Sequence, residues 1–208
     1  MSRRLRPLTM DGVAGLDRSC ATCTYWETSH QLDVMCCAAC DEELLRSSFS
    51  AVRREWGEYG RMVLEDKAVL GFIKCAPAGY FPQARRLPVG APDSAAPLIT
   101  CLHVLDETRC RGLDRVLLQA ALHDLHMRGE RVVYAYGSVS GDHAGAPMPD
   151  LEFLLEQGFT VERSHLAYPL LRLDLRTLAA WTENLEAAFE SMLLPLGRRG
   201  RVPTPSVD

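Results

Sequence analysis

The apolar and polar positions of the chain follow two periodicities, and each periodicity predicts one kind of element. Short apolar or alternating runs that are rich in β-branched and aliphatic residues predict strands. These runs cover residues 60–65, 68–75, 97–105, 131–136, 161–168 and 170–175. Apolar residues spaced by three and four predict amphipathic helices. They cover residues 42–56, 113–128, 149–157 and 177–194. Strands interleaved with helices in this way predict one domain of the α/β class.

The segments outside these elements are predicted from their turn residues and composition. Residues 1–19 are basic and contain a short predicted helix at 11–18, and residues 24–27 (Thr-Tyr-Trp-Glu) predict a short strand. Asp41 is suited to cap the helix that follows it. Residues 76–96 are rich in Pro, Gly and Arg. This stretch is too long for a simple connection, so it predicts a functional lid or rim.

We expect three parts along the chain. Residues 1–41 form a Cys-rich segment packed on the domain, residues 42–196 form the domain, and residues 197–208 form a disordered tail rich in Arg, Gly and Pro. The apolar stripe of the helix at 177–194 fits two arrangements. It packs on its own sheet, or it forms the seam of a homodimer.

One turn carries the strongest signal for chemistry. Between the strand at 97–105 and the helix after it, Arg109, Arg111 and Arg115 surround Gly112. The first backbone N–H groups of a helix have no partner within the helix, and the helix dipole favours negative charge there. The turn therefore predicts an anion-binding site.

Composition narrows the classes of partner. The formal net charge of −4 at pH 7 is against a surface built to bind nucleic acid. No apolar run reaches the length that spans a membrane, so we expect no membrane partner. Residues 1–7 are basic but lack the apolar core of a secretory signal. We therefore expect a cytoplasmic protein whose eight cysteines are reduced.

The order of the elements, with the arginine-bearing turn at its centre, resembles the GNAT superfamily of acyl-CoA-dependent N-acyltransferases. Its signature is a strand ending in Val-x-Pro, followed by Arg-x-x-Gly-x-Gly/Ala at the start of a helix. The residues that match it in spacing are Val104, Arg109, Gly112 and Leu113. Residues 151–159 resemble the late helix of the superfamily, which ends in Gly-Phe. The outer segments resemble an uncharacterised subgroup with an N-terminal Cys-x2-Cys segment.

The resemblance implies a GNAT-type mixed, mostly antiparallel sheet with a central splayed strand, flanked by helices. It implies acetyl-CoA as cosubstrate and direct transfer of its acyl group to an amine of a small molecule or a protein. The pantetheine arm would pair with the main chain of Leu102 and Val104. The pyrophosphate would lie on the turn formed by Arg109, Cys110, Arg111, Gly112, Leu113 and Asp114.

The chain departs from the superfamily at positions that matter for chemistry. Asp114 stands where the signature has Gly or Ala. Its carboxylate would repel the pyrophosphate by on the order of 1–4 kcal/mol, unless it pairs with a nearby arginine or caps the helix. Leu154 stands where many members carry the tyrosine that protonates the thiolate, and no Glu lies on the central strand as a base. The acid and the base are therefore unassigned.

Other side chains near the central strand offer acid–base chemistry. His103 titrates near neutrality and would serve as a base, or it lies on the outer face of the strand. Tyr134 and Tyr136 share one face, where either would serve as an acid or pack in the core. Cys75 and Cys101 are expected to be small buried apolar residues.

The remaining cysteines form two spaced pairs. Cys20 and Cys23, and then Cys37 and Cys40, each bracket two residues. Two such pairs supply four thiolates for a tetrahedral ion, so a structural zinc site is one interpretation. The alternatives are small packing residues, or a dithiol redox centre without the βαβ context that usually surrounds one.

Three classes of function remain open at this point. The first is an N-acyltransferase, favoured by the arginines of the turn and by the long loop at 76–96. The second is a non-catalytic GNAT-like module that senses a CoA metabolite or serves as a scaffold, favoured by Asp114 and Leu154. The third, a zinc-dependent interaction protein, depends on the cysteine pairs alone.

Overall fold

The computed structural model describes residues 3–14, 22–29, 41–105, 112–139 and 148–176. Its strands are β1 (Arg3–Pro7), β2 (Gly60–Glu65), β3 (Ala68–Pro77), β4 (Pro97–Val104), β5 (Val132–Tyr136), β6 (Thr160–Arg163) and β7 (Leu170–Asp174). Its α-helices are α1 (Met10–Ala14), α2 (Glu42–Glu55), α3 (Leu113–Met127) and α4 (Leu151–Glu156). Within the described ranges, no helix has the length and apolar character needed to cross a membrane.

The seven strands form one sheet in the spatial order β1-β2-β3-β4-β5-β7-β6. Neighbouring strands are antiparallel except β4 and β5, which run parallel. A parallel pair needs a crossover connection, and α3 lies in that connection. The predicted α/β class, with a mixed and mostly antiparallel sheet flanked by helices, is confirmed.

The central strand separates from its parallel neighbour after a short contact. Leu98 and Ile99 pair with β5, and no later residue of β4 does so within the described ranges, although β4 continues to Val104. A register shift on β3 after Lys74 leaves Thr100 as an extra residue on β4. Such a bulge bends and twists the strand that carries it. The predicted splayed central strand is therefore present.

Each face of the sheet carries its own buried cluster. On one face, called the α3 face, α3 and α4 contribute Leu117, Leu118 and Leu154, all fully buried. On the other, called the α2 face, α2 contributes Leu45, and the segment at 22–29 contributes Trp26. Full burial of each such side chain contributes about 1.5–3 kcal/mol to folding. α2 begins as predicted, since Asp41 Oδ1 accepts the N–H of Leu44 at 2.9 Å.

The N-terminal region differs from the sequence prediction. Arg3–Pro7 form the edge strand β1, where only a basic lead-in was predicted. The predicted strand at 24–27 is wrong: the N–H groups of Glu27 and Thr28 both donate to the carbonyl of Thr24, which makes a turn. Successive side chains of a strand point to opposite faces. Here Tyr25, Trp26 and Glu27 are all buried, which a turn permits.

Two later segments also differ. Residues 76–96 contain 3₁₀ helices at Ala78–Tyr80 and Pro82–Arg86, and Phe81 is fully buried. This loop therefore packs on the domain, and its role as a functional lid or rim stays a prediction. β6 ends at Arg163 rather than at residue 168, because His165 Nδ1 accepts the N–H groups of residues 167 and 168 and turns the chain.

Candidate functional site

Within the described ranges, β4 and β5 do not pair after Ile99, and the gap in the sheet between residues 100–104 and the C-terminal end of β5 is called the cleft. The N–H of Leu105 donates to Leu70 of β3 at 2.9 Å, and the carbonyl of His103 also faces β3. Backbone groups of alternate residues in a ladder point to opposite sides of the strand. The N–H and C=O groups of Leu102 and Val104 therefore point into the cleft, where a ligand can pair with them as a further strand would.

The N-terminus of α3 lies beside this cleft. Gly112 has φ 83°, a left-handed conformation that glycine adopts without strain. Its carbonyl accepts the first helical hydrogen bond, from Val116 at 3.1 Å. Leu113 belongs to the buried α3-face cluster against which Leu102 and Val104 pack. The first turn of α3 therefore starts on the same face of the sheet as Leu102 and Val104, and the N–H groups at a helix start favour an anion.

Asp114 already engages one of these N–H groups. Its Oδ1 accepts the N–H of Arg115 at 2.7 Å, so the carboxylate caps its own helix. This is one of the alternatives that the sequence left open. An anion that binds here would meet the carboxylate's charge and compete for that donor. The predicted contributions of Arg109, Cys110 and Arg111 stay predictions, because these residues lie outside the described ranges.

On the α2 face, the cleft is bordered by side chains of β4. Cys101 belongs to the buried α2-face cluster, and the ring of His103 lies 6.1 Å from that of Phe72 in the same cluster. His103 is only partly buried and lies on the part of β4 that follows the last pair with β5. Its position suits a base that acts on a molecule approaching from the α2 face, and this role stays a prediction.

Tyr136 packs in the core, one of the two alternatives expected for it. Its hydroxyl lies 2.7 Å from the carbonyl oxygen of Gly90 and 3.3 Å from that of Ala84. Its ring stacks on Trp26 with centroids 5.6 Å apart. These two contacts tie the loop at residues 76–96 to β5. Burial raises the pKa of the hydroxyl. Tyr134 is partly buried at the edge of the same cluster.

The buried hydroxyl of Tyr136 makes the free energy of unfolding fall at alkaline pH. Because its pKa in the folded protein is raised above the ordinary 10.0, the unfolded chain releases this proton at a lower pH. The contribution of the protonated Tyr136 hydroxyl to the free energy of unfolding is complete below about pH 10 and is lost as the pH rises further. Between about pH 9 and pH 11, we expect the free energy of unfolding, measured in urea, to fall less for Tyr136→Phe than for the native protein. Tyr168→Phe, on a partly exposed ring, is the control. Parallel curves for Tyr136→Phe and the native protein would contradict this expectation.

A buried charged cluster on the α2 face was missed at the sequence level. Lys74 Nζ lies 2.8 Å from Glu27 Oε1, and their side chains are 4% and 0% exposed. The hydroxyl of Tyr59 donates to the same oxygen at 2.8 Å. The other oxygen, Oε2, is buried, and no described residue donates to it. The available signal was a lysine within the apolar run of β3; its partner lies 47 residues away.

The charges of this cluster are set by its surroundings. Burial by itself would lower the pKa of Lys74, but the charge of Glu27, its hydrogen bond to Lys74 and the neighbouring thiols together outweigh that effect, and the pKa is raised. Burial and the charge of Glu27 raise the pKa of Tyr59 well above its ordinary value. Lys74 therefore stays an ammonium at neutral pH, which suits it to anchoring and not to accepting a proton.

Of the four predicted zinc ligands, one lies within the described ranges and three lie outside them. Cys23 is described and is buried in the α2-face cluster. Cys20, Cys37 and Cys40 lie outside those ranges. Over the part of the chain that the structure describes, no group of three or more His, Cys, Asp or Glu side chains is arranged to hold a metal ion. The zinc site stays a prediction.

Comparisons with solved structures identify the fold. An N-acetyltransferase from Staphylococcus aureus Mu50 superposes with TM-score 0.56 at 14% identity, covering 84% of this chain and 99% of that one. PaiA N-acetyltransferase from Thermoplasma acidophilum, in complex with coenzyme A, gives 0.56 at 13% identity over 84% and 99%. The putative acetyltransferase YncA from Salmonella typhimurium, with its cofactor acetyl-CoA, gives 0.54 at 15% identity over 84% and 95%.

At these identities the likeness concerns the fold, and the predicted GNAT-type fold is confirmed. No protein-family model matches the chain, and no curated protein matches it in sequence.

Proposed function

We propose that this protein is an acetyl-CoA-dependent N-acyltransferase that transfers an acyl group directly to the amine of a small molecule or a protein. The carrying observation is the cleft between β4 and β5, where the backbone groups of Leu102 and Val104 point outward beside the N-terminus of α3. That arrangement suits a ligand with amides along an extended arm and an anion at one end. The pantetheine arm and pyrophosphate of acetyl-CoA have this form.

In the proposed reaction, the amine nitrogen attacks the carbonyl carbon of the thioester. A C–N bond forms, the C–S bond breaks, and the thiolate of CoA leaves while the nitrogen loses a proton. The chain's part is to hold the two reactants in line and to accept that proton. His103 is the described side chain best placed to accept it, because it borders the cleft on the α2 face. Leu154 is buried on the α3 face and offers no proton to the departing sulfur.

Calorimetry with acetyl-CoA tests the binding step, and release of free CoA in the presence of defined amines tests the chemistry. The amines are a lysine-containing peptide, a peptide with a free N-terminus, a polyamine and an arylalkylamine. We expect a Kd in the micromolar range, and thermal stabilisation that grows with ligand concentration. His103→Gln is expected to keep this Kd and to lose the rise of the rate near neutral pH. Absence of binding by both the native protein and Asp114→Gly would overturn the proposal.

A non-catalytic CoA-binding module is the second candidate. The observation that favours it is the cap made by Asp114, which occupies a donor at the helix that would receive the pyrophosphate. Binding of acetyl-CoA without release of CoA for any of the amines would support this candidate over the enzyme. The cytoplasmic location and the homodimer stay predictions from the sequence.

A further inference from the structure

The turn at residues 24–28, called the Trp26 turn, crosses the sheet above β4. Trp26 stacks on Tyr136 of β5, whereas its neighbour Glu27 pairs with Lys74 of β3. β4 lies between those two strands in the sheet. Consecutive residues of the turn therefore contact the strands on either side of β4, and the turn spans β4 on the α2 face.

The register locates this crossing at the start of the cleft. Lys74 is the Cα partner of Cys101, which stands just beyond Ile99, the last described residue of β4 to pair with β5. Cys101 and Trp26 belong to the same buried cluster and are 7% and 1% exposed. The Trp26 turn thus lies across the α2 side of the cleft at its narrow end, and His103, two residues farther along β4, is only partly buried.

The ion pair is the charged anchor of this turn. Two backbone hydrogen bonds also hold the segment at 22–29. The N–H of Gln83 donates to the carbonyl of Trp26, and the N–H of Asp41 donates to the carbonyl of Thr22. The Glu27 carboxylate cannot leave Lys74 without leaving two uncompensated charges in the core, which costs far more than the loss of one neutral hydrogen bond. The pair therefore sets where the turn lies.

We propose that Glu27 is a positioning residue of the acyl-transfer site. Its ion pair with Lys74 holds the Trp26 turn as a wall across the α2 side of the cleft, so that the acceptor amine reaches the thioester on the His103 side of this wall. This inference rests on the proposed function, because an acceptor amine exists only if the protein transfers an acyl group. The wall constrains the acceptor rather than acetyl-CoA, because the groups that would pair with the pantetheine arm belong to β4 itself.

Site-resolved alkylation with iodoacetamide, read by peptide mass spectrometry on the full-length protein, tests the wall without any substrate. In Glu27→Gln, we expect the labelling rate of Cys101 to rise by about tenfold or more, since local opening of the turn uncovers it. Cys75 is the internal control: it is buried on the α3 face, and burial raises the pKa of its thiol. Its rate is expected to stay unchanged.

Equal acceleration at Cys101 and Cys75 would mean general unfolding and would overturn the positioning role, as would unchanged labelling of both. If Glu27→Gln does not fold, Tyr59→Phe takes its place. That variant removes one hydrogen bond to the same carboxylate oxygen and keeps the ion pair. We expect it to raise the Cys101 rate by about threefold with Cys75 unchanged.

A kinetic comparison then separates this inference from the proposed function. In Glu27→Gln, we expect the KM for the acceptor amine to rise by about tenfold, while kcat stays within about threefold and the Kd of acetyl-CoA within about twofold. Failure of the native protein to bind acetyl-CoA would remove the proposed function and leave the labelling result standing. An unchanged KM with intact binding would remove the positioning role alone.

Discussion

Replacing Lys74 with methionine is expected to lower the free energy of unfolding by about 3–5 kcal/mol. The substitution removes the ammonium that lies 2.8 Å from Glu27 and leaves a carboxylate whose side chain is 0% exposed. Of the described residues, Tyr59 would then remain as a hydrogen-bond donor to it. Urea denaturation measures the change, and a loss of this size would remove a large part of the stability of a typical domain.

The double variant Lys74→Met/Glu27→Gln distinguishes the cost of an unpaired charge from the loss of packing. Because it leaves no net charge in the core, we expect it to recover more than half of the loss. Arg3→Met is the matched control for an ion pair at the surface. Arg3 contacts Glu65 at 3.2 Å in a partly exposed pair, and its loss should cost roughly 0–1 kcal/mol. Equal losses in Lys74→Met and Arg3→Met would show that the buried pair contributes nothing special.

Replacing Asp114 with glycine is expected to strengthen acetyl-CoA binding by about tenfold or more, since removing a repulsion of 1.4 kcal/mol changes Kd tenfold. The change removes the carboxylate next to the expected pyrophosphate position. It also frees the N–H of Arg115, which the carboxylate now engages at 2.7 Å. Calorimetry of the variant and the native protein at the same ionic strength measures the effect, because salt screens it.

Glu162→Gln is the control for a change of net charge alone. Glu162 lies on the exposed edge strand β6, on the far side of β7 from the cleft. We expect it to leave the Kd of acetyl-CoA unchanged within about twofold. If Asp114→Gly binds acetyl-CoA with the same Kd as this control, the carboxylate of Asp114 does not weaken acetyl-CoA binding. A loss of binding in Asp114→Gly would show that the carboxylate supports the site.

Much of the fold could be predicted because the signals are local. β2, α2, β4 and α3 were predicted within two residues of their observed ends, because the helices are periodic and bounded by Asp41, Gly112 and Gly129, and the strands are uninterrupted runs rich in apolar residues. Gly129, for example, follows α3 with φ 81°, the conformation that ends a helix. β1 was missed because its sequence, Arg-Arg-Leu-Arg-Pro, has three arginines and lacks the apolar or alternating run that predicts a strand.

Of the candidate site, the main-chain groups could be predicted, whereas the orientations and partners of its side chains could not. The strand, turn and helix order located the turn at Gly112, and the resemblance to the GNAT superfamily implied the main chain of Leu102 and Val104. The spacing of Asp114 left three orientations open, and the capping one is found. For the Glu27–Lys74 pair, the lysine within the apolar run of β3 was the available signal, but its partner could not be predicted, because an ion pair between residues 47 positions apart depends on how the chain packs.

The sequence by itself therefore determined most of the strands and helices, the position of the arginine-bearing turn along the chain and the cap at Asp41, because each depends on residues within a few positions of one another. The tertiary structure decided three other features. They are the point, Ile99, after which the central strand leaves its parallel neighbour, the capping orientation of Asp114 and the crossing of the Trp26 turn over β4. Contacts across the sheet choose among conformations that are locally equivalent, and burying Glu27 and Lys74 is favourable only when both arrive at the same place.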